Sequence, residues 1–279
     1  MSCLVKMRAV REELSANEKK IADFILNNAA LIRDYSSQNL AASVGVSQSS
    51  IIKFSQKLNY RGFTDLKLAI HESVVKSGND DYPDEKGRHV NERDESIREQ
   101  LYRIKTESLL TTMELNDEKR ILSAVAVLEK SKRIQIIALG SGSLVARSFA
   151  SMLIQIGKSV IAEVDTYIQL SSIATLGKGD VVFVISFAGQ SAKMIHMVQQ
   201  AKKAGVTIVS LTNYSANPIR SLADVPLFSI NREGEIEIPQ IISSASQQHL
   251  VDVLFSSMLK RDRKARELLA LSRKAVESL

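Results

Sequence analysis

Two short segments of this 279-residue chain place glycine and serine where an anion can be held. Gly140-Ser-Gly-Ser143 follows the apolar run Ile134–Leu139, and Ser186-Phe-Ala-Gly-Gln-Ser191 follows Val181–Ile185. A helical pattern begins right after each. The first turn of a helix presents N–H groups without intrahelical partners and a partial positive charge. A phosphate is stabilised there, and serine hydroxyls add donors. Ser141, Gly142, Ser143, Ser186, Gly189, Gln190 and Ser191 are therefore candidate phosphate-binding residues. Either loop alone is equally well explained as an ordinary strand-to-helix turn; two of them at strand ends is the informative feature. A third loop, Glu163-Val-Asp-Thr166, offers Asp165 or Glu163 to a ligand hydroxyl, and the Asp165 carboxylate equally suits the cap of a following helix.

A different chemistry is written near the front, in the stretch Ser37–Leu58. A short helix with Leu40, Ala41 and Val44 inward is predicted to stop at Gly45, which tolerates the left-handed turn conformation. Val46 then points inward, and Ser47 caps a second helix whose buried face is Ile51, Phe54 and Leu58. This layout is a helix-turn-helix. Its second helix would enter the DNA major groove with its N-terminal residues at base edges. Gln48 can pair with adenine, and Ser47, Ser49 and Ser50 can serve bases or phosphates. Lys53, Lys57 and Arg61 would neutralise phosphates and set register. A solvated face on an ordinary helical hairpin would carry the same residue types.

These candidates need two kinds of framework. Residues 1–77 have helical apolar spacing throughout, and Ser15 with Glu18 fits a capping box ahead of Ile21, Phe24 and Ile25. The charged, Pro- and Gly-containing stretch 77–95 is nearly free of large apolar residues and is predicted to be a linker. A connecting helix follows, to about 115. The segment 116–279 then alternates helical patterns with the runs 134–139, 160–162, 181–185, 206–211 and 225–230. Runs this apolar suit strands covered on both faces. The expected fold is an all-helical domain at 1–77, a linker and connecting helix at 78–115, and a doubly wound, five-stranded parallel α/β domain at 116–279.

Composition narrows the function classes. Hydrophobic residues at 44% can build a core, and a net charge of +6 suits a polyanionic partner without demanding one. The single cysteine, Cys3, cannot form an internal disulfide, so a reducing, cytoplasmic compartment is expected. The scattered His71, His89, His196 and His249 suggest no metal site. No apolar run approaches the roughly 18 residues of a membrane span, and no secretion signal is evident at Met1–Arg8.

Leu14-Ser-Ala-Asn-Glu-Lys-Lys-Ile-Ala-Asp23, Ala41-Ala-Ser-Val-Gly-Val-Ser-Gln-Ser-Ser-Ile51, Lys53-Phe54, Lys57-Leu58 and Tyr60-Arg-Gly-Phe63 resemble the N-terminal domain of the RpiR/MurR family of bacterial sugar-catabolism regulators. The remainder resembles that family's sugar isomerase (SIS) domain, so the likeness covers nearly the whole chain. It implies a homodimer or homotetramer on operator double-stranded DNA, a sugar-phosphate effector at the serine loops, and no membrane, metal or cofactor. Two departures stand out. The SIS phosphate loop usually reads Ser-x-Ser-Gly-x-Thr or Ser, and here Ala188 replaces the second serine. The first loop has Gly142 where the family commonly has serine. Family members that sense N-acetylmuramic acid or N-acetylmannosamine 6-phosphate are nearest in pattern. The resemblance also implies that Ser243-Ser-Ala-Ser-Gln247 opens a last long helix packed over the site.

SIS domains also occur in aldose–ketose isomerases, which makes that the rival reading. Such an enzyme needs a base beside the carbon next to the carbonyl. The position after the phosphate loop carries Lys193 and no carboxylate, while His196 lies within the helix with the core as one available direction. Glu237 and His249 flank the late segment. No catalytic residue is expected. A dinucleotide fingerprint is begun by Gly140-Ser-Gly142 and not completed by a third glycine. The expected function is a repressor of a sugar or amino-sugar operon, released by a sugar 6-phosphate.

Overall fold

The computed structural model describes residues 2–29, 31–77, 96–230 and 240–278. The segment 78–95, within the predicted linker, lies outside the described residues, as do 231–239. The chain divides into two compact units, Met1–Thr106 and Glu107–Leu279.

The front unit is helical. Helix α1 (Cys3–Val10) is followed by α2 (Ala16–Asn27), which starts with the capping box expected at Ser15: the Ser15 N–H donates to Glu18 Oε2 at 2.7 Å. Helix α3 (Ser37–Val44) is capped by Ser36, and α4 (Gln48–Lys57) by Ser47, which accepts from the Ser50 N–H. Between them Gly45 adopts φ +73°, the left-handed conformation predicted for it. Helix α5 (Phe63–Ser77) closes the unit, and the Cys3 N–H donates to Ser73 Oγ at 2.9 Å, which ties α1 to α5. Ile21, Ile25, Leu40, Ile51, Phe54 and Leu66 are fully buried in one cluster. Each contributes on the order of 1.5–3 kcal/mol by leaving water, and together they hold α3 and α4 at a fixed angle.

The rear unit is a three-layer α/β fold. Helix α6 (Ile97–Leu115) runs across the boundary of the two units, and α7 (Glu118–Lys130) follows. The chain then alternates β1 (Ile134–Ala138), α8 (Gly142–Gln155), β2 (Val160–Ile161), α9 (Thr166–Ile173), β3 (Val181–Ile185), α10 (Ala192–Lys203), β4 (Thr207–Asn213), α11 (Pro218–Leu222), β5 (Val225–Ser229), α12 (Gln240–Arg261) and α13 (Arg263–Glu277). All strand pairs are parallel, in the order β2-β1-β3-β4-β5. Ile134, Ile136 and Phe183 face one apolar layer with Phe149, Leu250 and Leu254. Ile137, Val182, Val184 and Ile208 face the other, with Met197, Val198 and Ile219. Because both faces are covered, β1 and β3 read as unbroken apolar runs.

Three expectations are corrected. The run 160–162 is a two-residue edge strand with Ile161 exposed, because no strand among the described residues pairs beyond it. Ser243, Ser246 and Gln247 do not open α12: the helix has begun by Gln240, and all three are buried within it. A further helix, α13, follows where Asp262 caps a second start by accepting from the Lys264 N–H. The other edge, β5, contains Pro226, as edge strands tolerate. Its free backbone is covered by a side chain: Asn116 Nδ2 donates to the Phe228 carbonyl at 2.6 Å, and the Phe228 N–H donates to Asn116 Oδ1 at 2.9 Å. No helix among the described residues is long and apolar enough to cross a membrane.

Candidate nucleic-acid face and candidate phosphate site

On the front unit the buried stripe of α4 leaves a polar outer face. Ser47, Gln48, Ser49, Lys53 and Lys57 are exposed, and Ser50 is half-buried. Several are already engaged with one another. Ser47 Oγ lies 2.8 Å from both Ser49 Oγ and Ser50 Oγ. Gln48 Nε2 donates to Ser37 Oγ at 2.9 Å, so its amide braces the start of α4 against the start of α3. Lys57 Nζ sits 2.8 Å from Glu18 Oε2, the same carboxylate that closes the capping box of α2. Burial pushes the Glu18 carboxyl up, but the Lys57 ammonium and the Ser15 N–H outweigh it and hold the group below its ordinary value. Lys53 makes no ion pair among the described residues. Arg61 stands apart from α4, in the turn to α5, where its N–H donates to Asp65 Oδ2 at 3.0 Å and its exposed side chain borders Arg33, Lys67 and His71. The structure thus brings six of the seven candidates onto one helix end and face and leaves the seventh in the next turn.

On the rear unit the strand order reverses between β1 and β3, and both candidate loops leave the carboxyl ends of those two strands. That crevice is where open α/β sheets take ligands. The register pairs Ala138 with Ile185, so the loops start side by side. A Cβ placed on Gly142 would lie 3.6 Å from the Ile185 Cγ2 and carbonyl, which shows how closely the start of α8 passes the end of β3. Neither α8 nor α10 is capped by its own first side chain: Ser141 and Ser191 stand at the N-cap positions without a capping hydrogen bond. Helix α9 is different, because Asp165 accepts from the Ile168 N–H at 2.9 Å. The cap reading of Asp165 is therefore realised, and it commits one carboxylate oxygen. Ser143 Oγ donates to the Gly140 carbonyl at 2.6 Å, whereas Ser141 is exposed. Ser186 Oγ accepts from the Gly189 N–H at 3.1 Å, which folds the second loop on itself; Gln190 is exposed at its tip.

Asn217, which sequence reasoning passed over, packs closely against that second loop. Gly189 has φ +68°, and a Cβ there would fall 2.1 Å from Asn217 Oδ1. Only glycine allows this approach. Asn217 in turn donates from Nδ2 to Thr212 Oγ1 and the Ser215 carbonyl and accepts from the Arg220 N–H, so it is buried and rigid. The signal was present as Asn217-Pro218, an N-cap followed by proline at the first helical position. Of the groups considered for isomerase chemistry, Lys193 is exposed on the first turn of α10, and His196, for which the core was one available direction, faces solvent. The polar stripe of α10 lies outward there, so histidine takes that side. His249 is half-buried on α12, and Glu237 lies outside the described residues.

Comparison with known proteins matches both halves. Residues 1–77 match the helix-turn-helix domain of the rpiR family, and residues 127–257 match the SIS domain. Among solved structures, the NanR protein of Vibrio vulnificus, complexed with ManNAc-6P, is similar at 26% identity and TM-score 0.62, over 99% of this chain and 98% of that one. The sugar isomerase domain of an RpiR transcription factor from Sphaerobacter thermophilus shares the fold at 19% identity and TM-score 0.58, over 66% of this chain and 100% of its own. So does a Listeria monocytogenes protein named as a candidate sugar-phosphate isomerase, at 15% identity and TM-score 0.55, over 62% and 92%. The chain thus carries a helix-turn-helix unit of the rpiR type in front of a SIS domain.

Proposed function

We propose that this chain is a transcription regulator that reads operator DNA with α4 and responds to a sugar 6-phosphate bound between the loops after β1 and β3. The observation that carries the reading is the pair of helix starts at the strand-order reversal, α8 and α10, whose N-cap serines leave the capping position to a ligand. A phosphate there meets unpaired N–H groups, two positive helix ends and serine hydroxyls. In this reading Ser186, Gly189, Gln190 and Ser191 cradle the phosphate, while Ser141, Gly142, Ser143 and the uncommitted oxygen of Asp165 face the sugar.

N-acetylmannosamine 6-phosphate is the first effector to test, because the similar Vibrio vulnificus NanR is complexed with it. The family favours an oligomer, which sets two α4 helices about one DNA turn apart on a palindrome. The effector then shifts operator affinity only as far as it binds two arrangements of the protein unequally. We take the effect to be release of a cytoplasmic repressor. Binding rather than isomerisation fits the solvent-facing Lys193 and His196 on α10.

A thermal-shift screen against sugar 6-phosphates, repeated with Ser186→Ala and Ser191→Ala, tests the sensor. At least one sugar 6-phosphate should raise the melting temperature of the wild type, and both variants should lose most of the rise; no rise with any of them sinks the reading. For the reader, Lys53→Ala should weaken binding to all DNA sequences and flatten its salt dependence, and Gln48→Ala should relax base preference. Unchanged operator binding in both would refute the docking.

A further inference from the structure

Helix α9 carries a residue that its packing alone does not explain. Gln169 is fully buried on the face of α9 turned to the sheet. Its Nε2 donates to two backbone carbonyls: that of Ala138 at 3.2 Å and that of Val164 at 3.1 Å. Ala138 is the last residue of β1, two before the loop Gly140–Ser143, and Val164 is the residue immediately before Asp165. One amide nitrogen therefore joins the two loops assigned to the sugar end of the effector. The other end of the amide gains nothing in return, since no group among the described residues donates to Gln169 Oε1. Leucine or methionine would fill the same space and avoid the unpaired Oε1, but would leave the Ala138 and Val164 carbonyls without this donor, so filling space is not what selects glutamine. What glutamine adds is the double donation.

We propose that Gln169 is a positioning residue of the effector site: it holds the Asp165 loop against the carboxyl end of β1, so that Ser141, Ser143 and Asp165 meet the sugar in fixed register. The need for such a clamp follows from the weak attachment of its surroundings. Strand β2 pairs through only Val160 and Ile161, and α9 buries little besides Gln169 and Ile173. Val164, Tyr167 and Ile168 around the loop are exposed. Few apolar contacts fix the position of Asp165 relative to Ser141, and an unanchored loop would have to be ordered by the ligand itself, at a cost in affinity. The phosphate end is held separately, by Asn217 against Gly189, so the two ends of the site have separate anchors.

This inference rests on the effector site proposed above, and the test separates the two. Affinity for N-acetylmannosamine 6-phosphate is measured by calorimetry for wild type, Gln169→Leu and Gln169→Glu from pH 5.5 to 8.5, with folding followed by circular dichroism. Dividing each variant's Kd by the wild-type value at the same pH removes the titration of the ligand's own phosphate. Gln169→Leu should bind at least tenfold more weakly at every pH. Gln169→Glu should show a ratio that depends on pH: a protonated carboxyl donates to one carbonyl and restores much of the affinity at the acid end, while a carboxylate repels both carbonyl oxygens and loses it at the alkaline end. A purely space-filling role gives no such slope. Both variants within twofold of wild type at all pH values, or a flat ratio for a folded Gln169→Glu, overturns the inference alone. A wild type that does not bind the probe overturns the effector site and this inference with it.

Discussion

The two candidate sites are built in opposite ways. The reader presents side chains on the outside of a helix: Ser47, Gln48, Ser49 and Lys53 are exposed, and their mutual contacts are short-range and at the surface. The sensor presents loop backbone, with Ser186 and Gly189 buried and the loops held from beneath by the side chains of Gln169 and Asn217. A face that must fit a groove of fixed width needs only a straight helix and a core behind it. A site that must surround a small anion needs several chain segments brought to one point. The first is decided by local patterning, the second by long-range contacts.

If that contrast is right, the largest blow to the reader should spare the sensor. Phe54→Ala, which empties the centre of the front core, should cost about 3–5 kcal/mol and abolish operator binding. The sugar-phosphate thermal shift of the rear unit should survive it in calorimetry; loss of both transitions together would break the comparison.

The two left-handed glycines give a sharper test. Gly45 and Gly189 have nearly the same φ, +73° and +68°, but a Cβ on Gly45 meets nothing within 4 Å, whereas one on Gly189 meets Asn217. Gly45→Ala should cost about 1 kcal/mol, for conformation alone. Gly189→Ala should add an overpacking cost of about 1–3 kcal/mol and remove effector binding. Equal losses in denaturant unfolding would show that the loop is less firmly seated than Asn217 implies.

Serines at helix starts separate next. Ser47→Ala removes a cap and should destabilise the front unit by about 1 kcal/mol. Ser191→Ala removes a hydroxyl that caps nothing, so stability should hold within about 0.5 kcal/mol while sugar-phosphate affinity falls.

The smallest effect belongs to Glu18. Glu18→Gln should lower stability by about 0.2–1 kcal/mol and, by releasing Lys57, steepen the salt dependence of DNA binding. Because the folded-state pKa of Glu18 lies below its ordinary 4.5, its contribution is present above that pH and fades as pH falls through the lowered value. The stability gap between wild type and Glu18→Gln should therefore close in acid; a gap that stays constant would show that the ion pair contributes nothing.

Much of this was legible in the residues. The capping box at Ser15, the left-handed Gly45, the Ser47 cap and the stripe Ile51–Phe54–Leu58 are set by interactions within a few positions along the chain, and all are realised. The strands of the doubly wound sheet were legible because burial on both faces leaves an apolar run, and β2 was overestimated because an edge strand lacks that burial. The serine loops could be found as strand-to-helix turns with glycine. What the chain does not spell out locally is their adjacency. It depends on the strand order, which puts β1 beside β3 although the paired Ile134 and Val181 are 47 positions apart. Gln169 and Asn217 are read in sequence as one more polar residue on a helix and one more turn asparagine. Only the packed sheet brings their amides to the loops, because a buried amide acquires its meaning from the backbone groups that tertiary structure leaves for it to satisfy.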